Sequence, residues 1–280
     1  MTTIDATLRG AVTGAGDAFT LTLDPAFQGL PESAHGGSLL ALYDALAARR
    51  GPRTLRGRYL RRVPVGVPLA FTMTRHAGAP AFRVAERDGT VLADGRVIEP
   101  EPLGKSVAAS PGPETAPLPV SLTCLACGIE NPRGLRAQLT FDSHVVGGVW
   151  TPRPEFRGDN GRLSPIALTT LLDEAAFWLG ALASGESGMT TDLAIALHDD
   201  APSGAPVLIS GERAATRPRP DDPRYWQTDV SARDEAGRLL ATASITFVAI
   251  RGAARKLVTG LLAINPPDVV RRAFPAYCAP

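Results

Sequence analysis

Two copies of one pattern run through this sequence, and the repeat limits what the chain can fold into more than any other feature. Residues 26–47, AFQGLPESAHGGSLLALYDALA, align without a gap on residues 155–176, EFRGDNGRLSPIALTTLLDEAA. Phe27 falls on Phe156, Gly29 on Gly158, Leu39 and Leu42 on Leu168 and Leu171, and Asp44 on Asp173. Two later matches keep the same order. VPVGVPLAF, with Pro64, meets APSGAPVLI, with Pro202, and DGTVLADGRV meets AGRLLATASI. Two large copies describe a duplicated domain rather than a solenoid of many short units.

Each copy has the same coarse plan. An apolar segment reads as a helix, over Leu39–Arg49 in the first copy and Ile166–Leu179 in the second. Both are apolar nearly all round, as expected of a helix wrapped by other structure. Alternating runs follow, among them LRGRYLRRV and LAFTMTRHA in the first copy and TDLAIALHD and PVLISGERAAT in the second. Alternation broken by turn residues such as Asp88-Gly89 predicts antiparallel strands joined by hairpins. One helix followed by an antiparallel meander, twice over, predicts an α+β fold. The expected boundaries are a first unit over 1–100, a Pro-rich linker over 101–120, a second unit over 121–252 and a helical tail over 253–280. The tail reads as two short helices parted by Pro266-Pro267.

Composition narrows the function classes. With 29 basic and 28 acidic residues, net charge is +1, which gives no reason to expect nucleic acid or an anionic membrane as the partner. The first residues, MTTIDATLRG, lack the basic and apolar regions of a secretory signal. No uninterrupted apolar run reaches the roughly 20 residues of a membrane span. The reading is of a cytoplasmic protein. Three cysteines, Cys124 and Cys127 in CLAC and Cys278 far away, do not make a disulfide framework. One C-x-x-C supplies two thiolates where a structural zinc site wants about four ligands. No metal is therefore expected, and the pair reads as structural.

The stretch AHGGSLLALYD, His35 to Asp44, resembles the opening of the central helix in the hotdog-fold acyl-CoA thioesterases, particularly the phenylacetate-pathway type. CLACGIENPRGL, Cys124 to Leu135, is similar to the entry segment of many such domains. The resemblance covers roughly residues 15–100 and 122–250. It implies a double hotdog: two tandem hotdog halves, each a bent antiparallel sheet wrapped round a central helix. The second copy departs from the pattern, with Ser164, Pro165 and Ile166 where the first has His35, Gly36 and Gly37.

Nine residues of helix span about 13 Å, so His35 and Asp44 cannot serve one reacting atom, because a base must lie within hydrogen-bond reach. The resemblance implies antiparallel helices with each site shared between halves. His35, Gly36 and Gly37 would then work with Asp173, while Asp44 faces the altered Ser164-Pro165 end. Free N–H groups at a helix start, with glycine permitting close approach, suit a developing oxyanion. The Gly37 or Gly36 amide would polarise a thioester carbonyl, and Asp173 would activate water or attack directly. Glu174 is the reserve carboxylate. Gln28 and Asn160 are candidates for positioning water or carbonyl, and Arg58 and Arg61 for meeting the phosphates of coenzyme A. The expected activity is thioester hydrolysis at one hybrid site, with an acyl-CoA or acyl-carrier thioester as substrate and coenzyme A its only cofactor-like part. The expected assembly is a monomeric pseudo-dimer or an oligomer of such units. Two other functions compete: a non-catalytic acyl-thioester binding or scaffold protein, and a hotdog hydratase or dehydratase with His35 as base.

Overall fold

The computed structural model describes residues 2–15, 18–104, 112 and 114–278; of the predicted linker, residues 105–111 and 113 lie outside the described residues. The first half holds α1 (Ile4–Gly10), β1 (Val12–Ala15), β2 (Ala18–Leu21), α2 (Gly36–Ala47), β3 (Arg53–Tyr59), β4 (Leu69–His76), β5 (Ala79–Ala85) and β6 (Val91–Ile98). The second holds β7 (Ala116–Pro117), β8 (Thr140–Phe141), β9 (Val145–Trp150), α3 (Pro165–Ser184), β10 (Gly188–Leu197), β11 (Val207–Glu212), β12 (Arg217–Pro218), β13 (Tyr225–Arg233) and β14 (Leu239–Ala249). The tail is α4 (Ala253–Leu262) and α5 (Pro267–Ala273).

The strands form one sheet in the order β1-β2-β4-β5-β6-β3-β10-β14-β13-β11-β9-β8-β7, with β12 beside β13. Apart from β7 at one edge, the order is palindromic about the β3–β10 junction, where Leu55 faces Ile195 and Arg58 faces Asp192 in antiparallel register. Duplication explains it, since equivalent strands of the two copies lie at equal distances from the junction. The lead-in to each central helix repeats hydrogen bond for hydrogen bond. His35 N–H donates to Phe27 O at 2.9 Å and Ser164 N–H to Phe156 O at 2.8 Å. Ala34 N–H donates to Val63 O at 2.8 Å and Leu163 N–H to Ala201 O at 2.9 Å. The last pair joins the two aligned helix entries to the two P-x-G-x-P segments.

Helices α2 and α3 are the centre of the core. Leu39, Leu40, Leu42 and Tyr43 of α2, and Ile166, Leu171, Leu172 and Ala175 of α3, are fully buried. The helix α3 begins one residue earlier than expected and runs five residues further, to Ser184. At 20 residues, with an 18-residue window of mean hydropathy 1.4, it is long and apolar enough to cross a membrane by length and composition, although Asp173 and Glu174 interrupt it, and 83% of that window is buried inside the protein. Proline at its first position costs nothing, since that N–H would be unpaired in any case. The α2 helix begins three residues earlier than expected, at Gly36, and ends when Ala48 turns left-handed at φ 52°.

Gly37 allows the two helices to touch. A Cβ there would stand 2.5 Å from Thr169 O and 2.7 Å from Thr170 Cα. Thr169 Oγ1 uses the closeness to donate to Gly37 O at 2.8 Å. The N-terminus of α2 thus lies at the second turn of α3. Asp44, two turns on, is near Asp5, which accepts a hydrogen bond from Ser164 at the start of α3. The helices are therefore antiparallel.

Candidate functional site

The N-terminus of α2 meets the middle of α3 at one end of this helix pair. Asp173 Oδ2 lies 3.1 Å from His35 Nδ1 and accepts from Gly37 N–H at 3.0 Å. Asp173 Oδ1 accepts from Thr190 Oγ1 on β10 at 2.7 Å. Gly36 brings its backbone close, since a Cβ there would be 2.7 Å from Asp173 Oδ2. Tyr59 on β3 donates to Gly36 O at 2.6 Å. Glu174, on the next position of α3, accepts from Trp178 Nε1 at 3.0 Å through Oε1, and its Oε2 stands 3.7 Å from His35 Nε2. His35, Asp173 and Glu174 are all buried.

These contacts set the charges. Burial alone would lower the His35 pKa, but the hydrogen bond and charge of Asp173, with Glu174 behind, raise it well above the ordinary value. Burial pushes Asp173 up, and His35, Thr190 and the Gly37 amide outweigh it, so its carboxyl titrates below the usual range. An imidazolium Nδ1–H donates to Asp173 and cannot also accept from Gly37 N–H, 3.2 Å away. The Gly37 amide therefore belongs to Asp173 in the charged state. The Gly36 N–H has no hydrogen-bond partner among the described residues. Of the two amides considered from sequence, it is the one open to a ligand.

The site opens into a cavity of about 530 Å³, within the range of small-molecule sites. Leu39, Phe177, Trp178, Leu257 and Leu261 supply much of its apolar wall. Helix α4 closes one side, which nothing in the repeat foretold because the tail lies outside it. The exposed cations Arg61, Arg62 and Lys256 also border the cavity.

The reciprocal end of the helix pair is built differently. Asp44 is held by the guanidinium of Arg53, Nε at 2.5 Å and Nη2 at 2.7 Å, with both side chains buried. Burial pushes the Asp44 carboxyl upward and Arg53 opposes it. Helix α1 packs beside this pair, where Ser164 donates to Asp5, and Thr3 and Arg9 bind Asp159. Asn160 Oδ1 accepts from Arg162 N–H at 3.0 Å in a tight turn.

The predicted site residues thus separate into groups. His35, Gly36, Gly37, Asp173 and Glu174 come together at one end. Asp44 and Ser164, also candidates for substrate binding, lie at the other end, where Asp44 pairs with Arg53 and Ser164 with Asp5. Gln28 accepts from Glu32 N–H at 3.0 Å within the loop before α2. Arg61 borders the cavity, but Arg58 is exposed and paired with Asp94 at 2.7 Å across the sheet. It lies within β3, whereas Arg61 and Arg62 follow the end of that strand at Tyr59. Thr190 and Tyr59 were not foreseen as site residues, and only pairing across the sheet places them; Arg62, at the end of the basic stretch RGRYLRR, borders the cavity beside Arg61. The sequence reading also did not anticipate that Cys124 would lie beside His35 and Glu174.

No family model matches the sequence, and no curated protein matches it. Solved structures do match its fold. An acyl-CoA thioesterase II from Mycobacterium marinum superposes with a TM-score of 0.54 at 16% identity, over 89% of this chain and 98% of that one. A protein with the hot dog fold from Alicyclobacillus acidocaldarius gives 0.53 at 14% identity, over 88% and 97%. The GphF dehydratase, as a P1711L variant, gives 0.53 at 16%, over 85% and 96%. Nearly the whole of each neighbour is matched by nearly the whole of this chain, with a palindromic sheet wrapped round two antiparallel central helices: the chain has the double hotdog fold.

Proposed function

We propose that the protein hydrolyses an acyl thioester, carried by coenzyme A or by a carrier's phosphopantetheine, in the cavity where His35-Gly36-Gly37 meets Asp173. The observation that carries this reading is an ionised carboxylate from one half set against an open helix-start amide from the other, at the wall of an apolar cavity. The Gly36 N–H polarises the thioester carbonyl and takes the charge that develops on its oxygen. Each carboxylate oxygen has two lone pairs. Asp173 Oδ2 spends both on His35 and Gly37, and Oδ1 spends one on Thr190. The remaining Oδ1 pair holds and deprotonates a water. That water's oxygen bonds to the carbonyl carbon, the C–S bond breaks, and the thiolate leaves and takes up a proton. His35 and Thr190 are positioning residues that keep Asp173 ionised and aimed. The structural likeness to a thioesterase agrees with this reading, and so does the asymmetry that leaves one amide–carboxylate pair open.

A dehydratase has a specific observation in its favour, a histidine and an aspartate from opposite halves in contact. Dehydration needs an imidazole nitrogen free to take the α-proton, and both ring nitrogens of His35 face carboxylates, Nδ1 that of Asp173 at 3.1 Å and Nε2 that of Glu174 at 3.7 Å, which favours hydrolysis instead. Steady-state assays with acyl-CoAs of varied chain length, following free thiol, test the proposal. Thiol release above the uncatalysed rate is expected. Conversion of a 3-hydroxyacyl thioester to the enoyl product without thiol release would replace hydrolysis with dehydration, and no turnover of any kind would leave a binding protein.

The basic residues at the opening give a separate expectation. Arg62→Glu combined with Lys256→Glu should raise KM for acyl-CoA by about tenfold, with kcat changed less than twofold, because exposed cations attract phosphate without touching the reacting atoms. The KM difference between wild type and variant should shrink as salt is added. Equal KM values at low salt would remove these residues from substrate binding.

A further inference from the structure

The segment Cys124-Leu125-Ala126-Cys127-Gly128 is a closed turn. Gly128 N–H donates to Cys124 O at 2.9 Å, and Ala126 N–H points at Cys124 Sγ at 3.3 Å. Gly128 makes the closure possible, since a Cβ there would lie 2.3 Å from Cys124 O. A backbone N–H aimed at sulfur favours its anionic, metal-ligating form. The turn is pinned against the entry to α2. Leu125 N–H donates to Gln28 O at 2.7 Å, and Asn131 Nδ2 donates to Ala26 O and Thr123 O, each at 2.8 Å.

Pinning places Cys124 beside two side chains far away in sequence. Cys124 Sγ, a His35 ring nitrogen and a Glu174 carboxylate oxygen all lie within 4.8 Å of one another, and all three residues are buried. Cys127 is buried too, and its side chain hydrogen-bonds that of Cys124. We propose that Cys124, Cys127, His35 and Glu174 bind one divalent ion of the zinc class. A C-x-x-C turn with an imidazole and a carboxylate is a zinc donor set. Bonds of about 2.0–2.3 Å put tetrahedral ligands roughly 3.3–3.8 Å apart, so Cys124, His35 and Glu174 need to close by only about 1 Å, and Cys127 joins them by turning its thiol from Cys124 toward the ion.

The groups behind the ligands are already in place. Asp173 holds His35 at Nδ1, 3.1 Å away, which leaves Nε2 for the ion. Trp178 Nε1 takes Glu174 Oε1 at 3.0 Å and leaves Oε2, the atom 3.7 Å from His35 Nε2. Carboxylate-to-histidine support of this kind orients metal ligands. With four protein ligands the site is closed, and its effect is to tie the entry segment of the second half to both central helices. The inference goes beyond thioester hydrolysis and is tested without substrate, so either can fail alone.

The test uses the full chain purified without added metal. Elemental analysis should find about one zinc per chain. After stripping with a chelator, the protein should melt at a lower temperature and recover on adding zinc. Stripped protein given cobalt(II) should show the intense visible bands of a tetrahedral ion and a thiolate-to-cobalt band in the near ultraviolet. Cys124→Ser should weaken binding at least tenfold, the order of loss seen when even a supporting residue is removed. Glu174→Gln should keep the thiolate band while weakening affinity, which tests the set if the serine variant fails to fold. Folded wild type that takes up neither zinc nor cobalt at micromolar concentrations overturns the proposal. Unchanged uptake and spectrum in both variants also overturns it, by placing the ion elsewhere.

Discussion

Asp173→Asn is expected to reduce kcat for thioester hydrolysis by at least about 10²–10³, the scale of losing one major transition-state interaction. Asparagine has nearly the shape of aspartate: its single carbonyl oxygen can accept from the Gly37 amide while its NH2 donates to the Thr190 hydroxyl, but it cannot take a proton from water. The protein should stay folded, with a melting point lowered by the lost partner of His35. Asp44→Asn makes the contrast. It sits at the aligned position of the other half, yet its carboxylate is bound at 2.5 and 2.7 Å by the buried guanidinium of Arg53. Breaking a buried pair by removing one partner costs about 3–5 kcal/mol, because the remaining charge is uncompensated. Asp44→Asn should therefore lower the melting temperature strongly while retaining most of kcat below that temperature. Steady-state kinetics and a melting curve on both variants decide the matter. If Asp44→Asn abolishes turnover in folded protein and Asp173→Asn does not, the working site is at the other end.

Gly37→Ala should be the most damaging small substitution on α2. The added methyl would meet Thr169 O at 2.5 Å and Thr170 Cα at 2.7 Å, both backbone atoms of a fully buried helix. Neither can swing aside, so α2 and α3 must separate, weakening the Thr169 Oγ1 to Gly37 O bond and the Gly37 amide to Asp173 bond. Overpacking of this kind costs about 3 kcal/mol, which corresponds to a fall in Tm of roughly 6–12 °C for a protein of this size. Gly36→Ala is the informative neighbour. Its methyl would meet Asp173 Oδ2 at 2.7 Å, the end of a side chain rather than a backbone. It should leave Tm within a few degrees of wild type and lower kcat instead, since the carboxylate shifts and the approach to the Gly36 amide narrows. Scanning calorimetry beside kinetics separates the two variants. A Gly37→Ala protein that melts with the wild type would show that the helices do not need this contact.

Much of the architecture was legible in one dimension because it rests on local periodicity and on repetition. The ungapped match of residues 26–47 with 155–176 predicted two equivalent helices, and alternation predicted the strands that follow each. Both are properties of neighbouring residues, which face a common layer at periods of 3.6 and 2. The loss of His-Gly-Gly at Ser164-Pro165-Ile166 was also readable, and with it the inequality of the two ends. Helix limits were less so. The α3 helix extends to Ser184 and ends where Gly185 turns left-handed at φ 71°; the burial of Gly180 and Ala181 within the core has no local signature.

Folding alone determined what stands across from what. Arg53 becomes the partner of Asp44 because β3 returns beside α2, and α1 comes to rest against the start of α3. Arg58 and Arg61 look alike in RGRYLRR, but β3 ends at Tyr59, so Arg58 pairs with Asp94 across the sheet while Arg61, in the turn beyond, borders the cavity. Thr190 reaches Asp173 from a different element, and α4, outside the repeat, closes the cavity. Cys124 and Cys127 offered two ligands and no sign of more. His35 and Glu174 join them through contacts spanning large distances in sequence. Side-chain identity and spacing determined which chemistry the chain carries, while long-range packing, which no short window of sequence encodes, determined which of those groups meet.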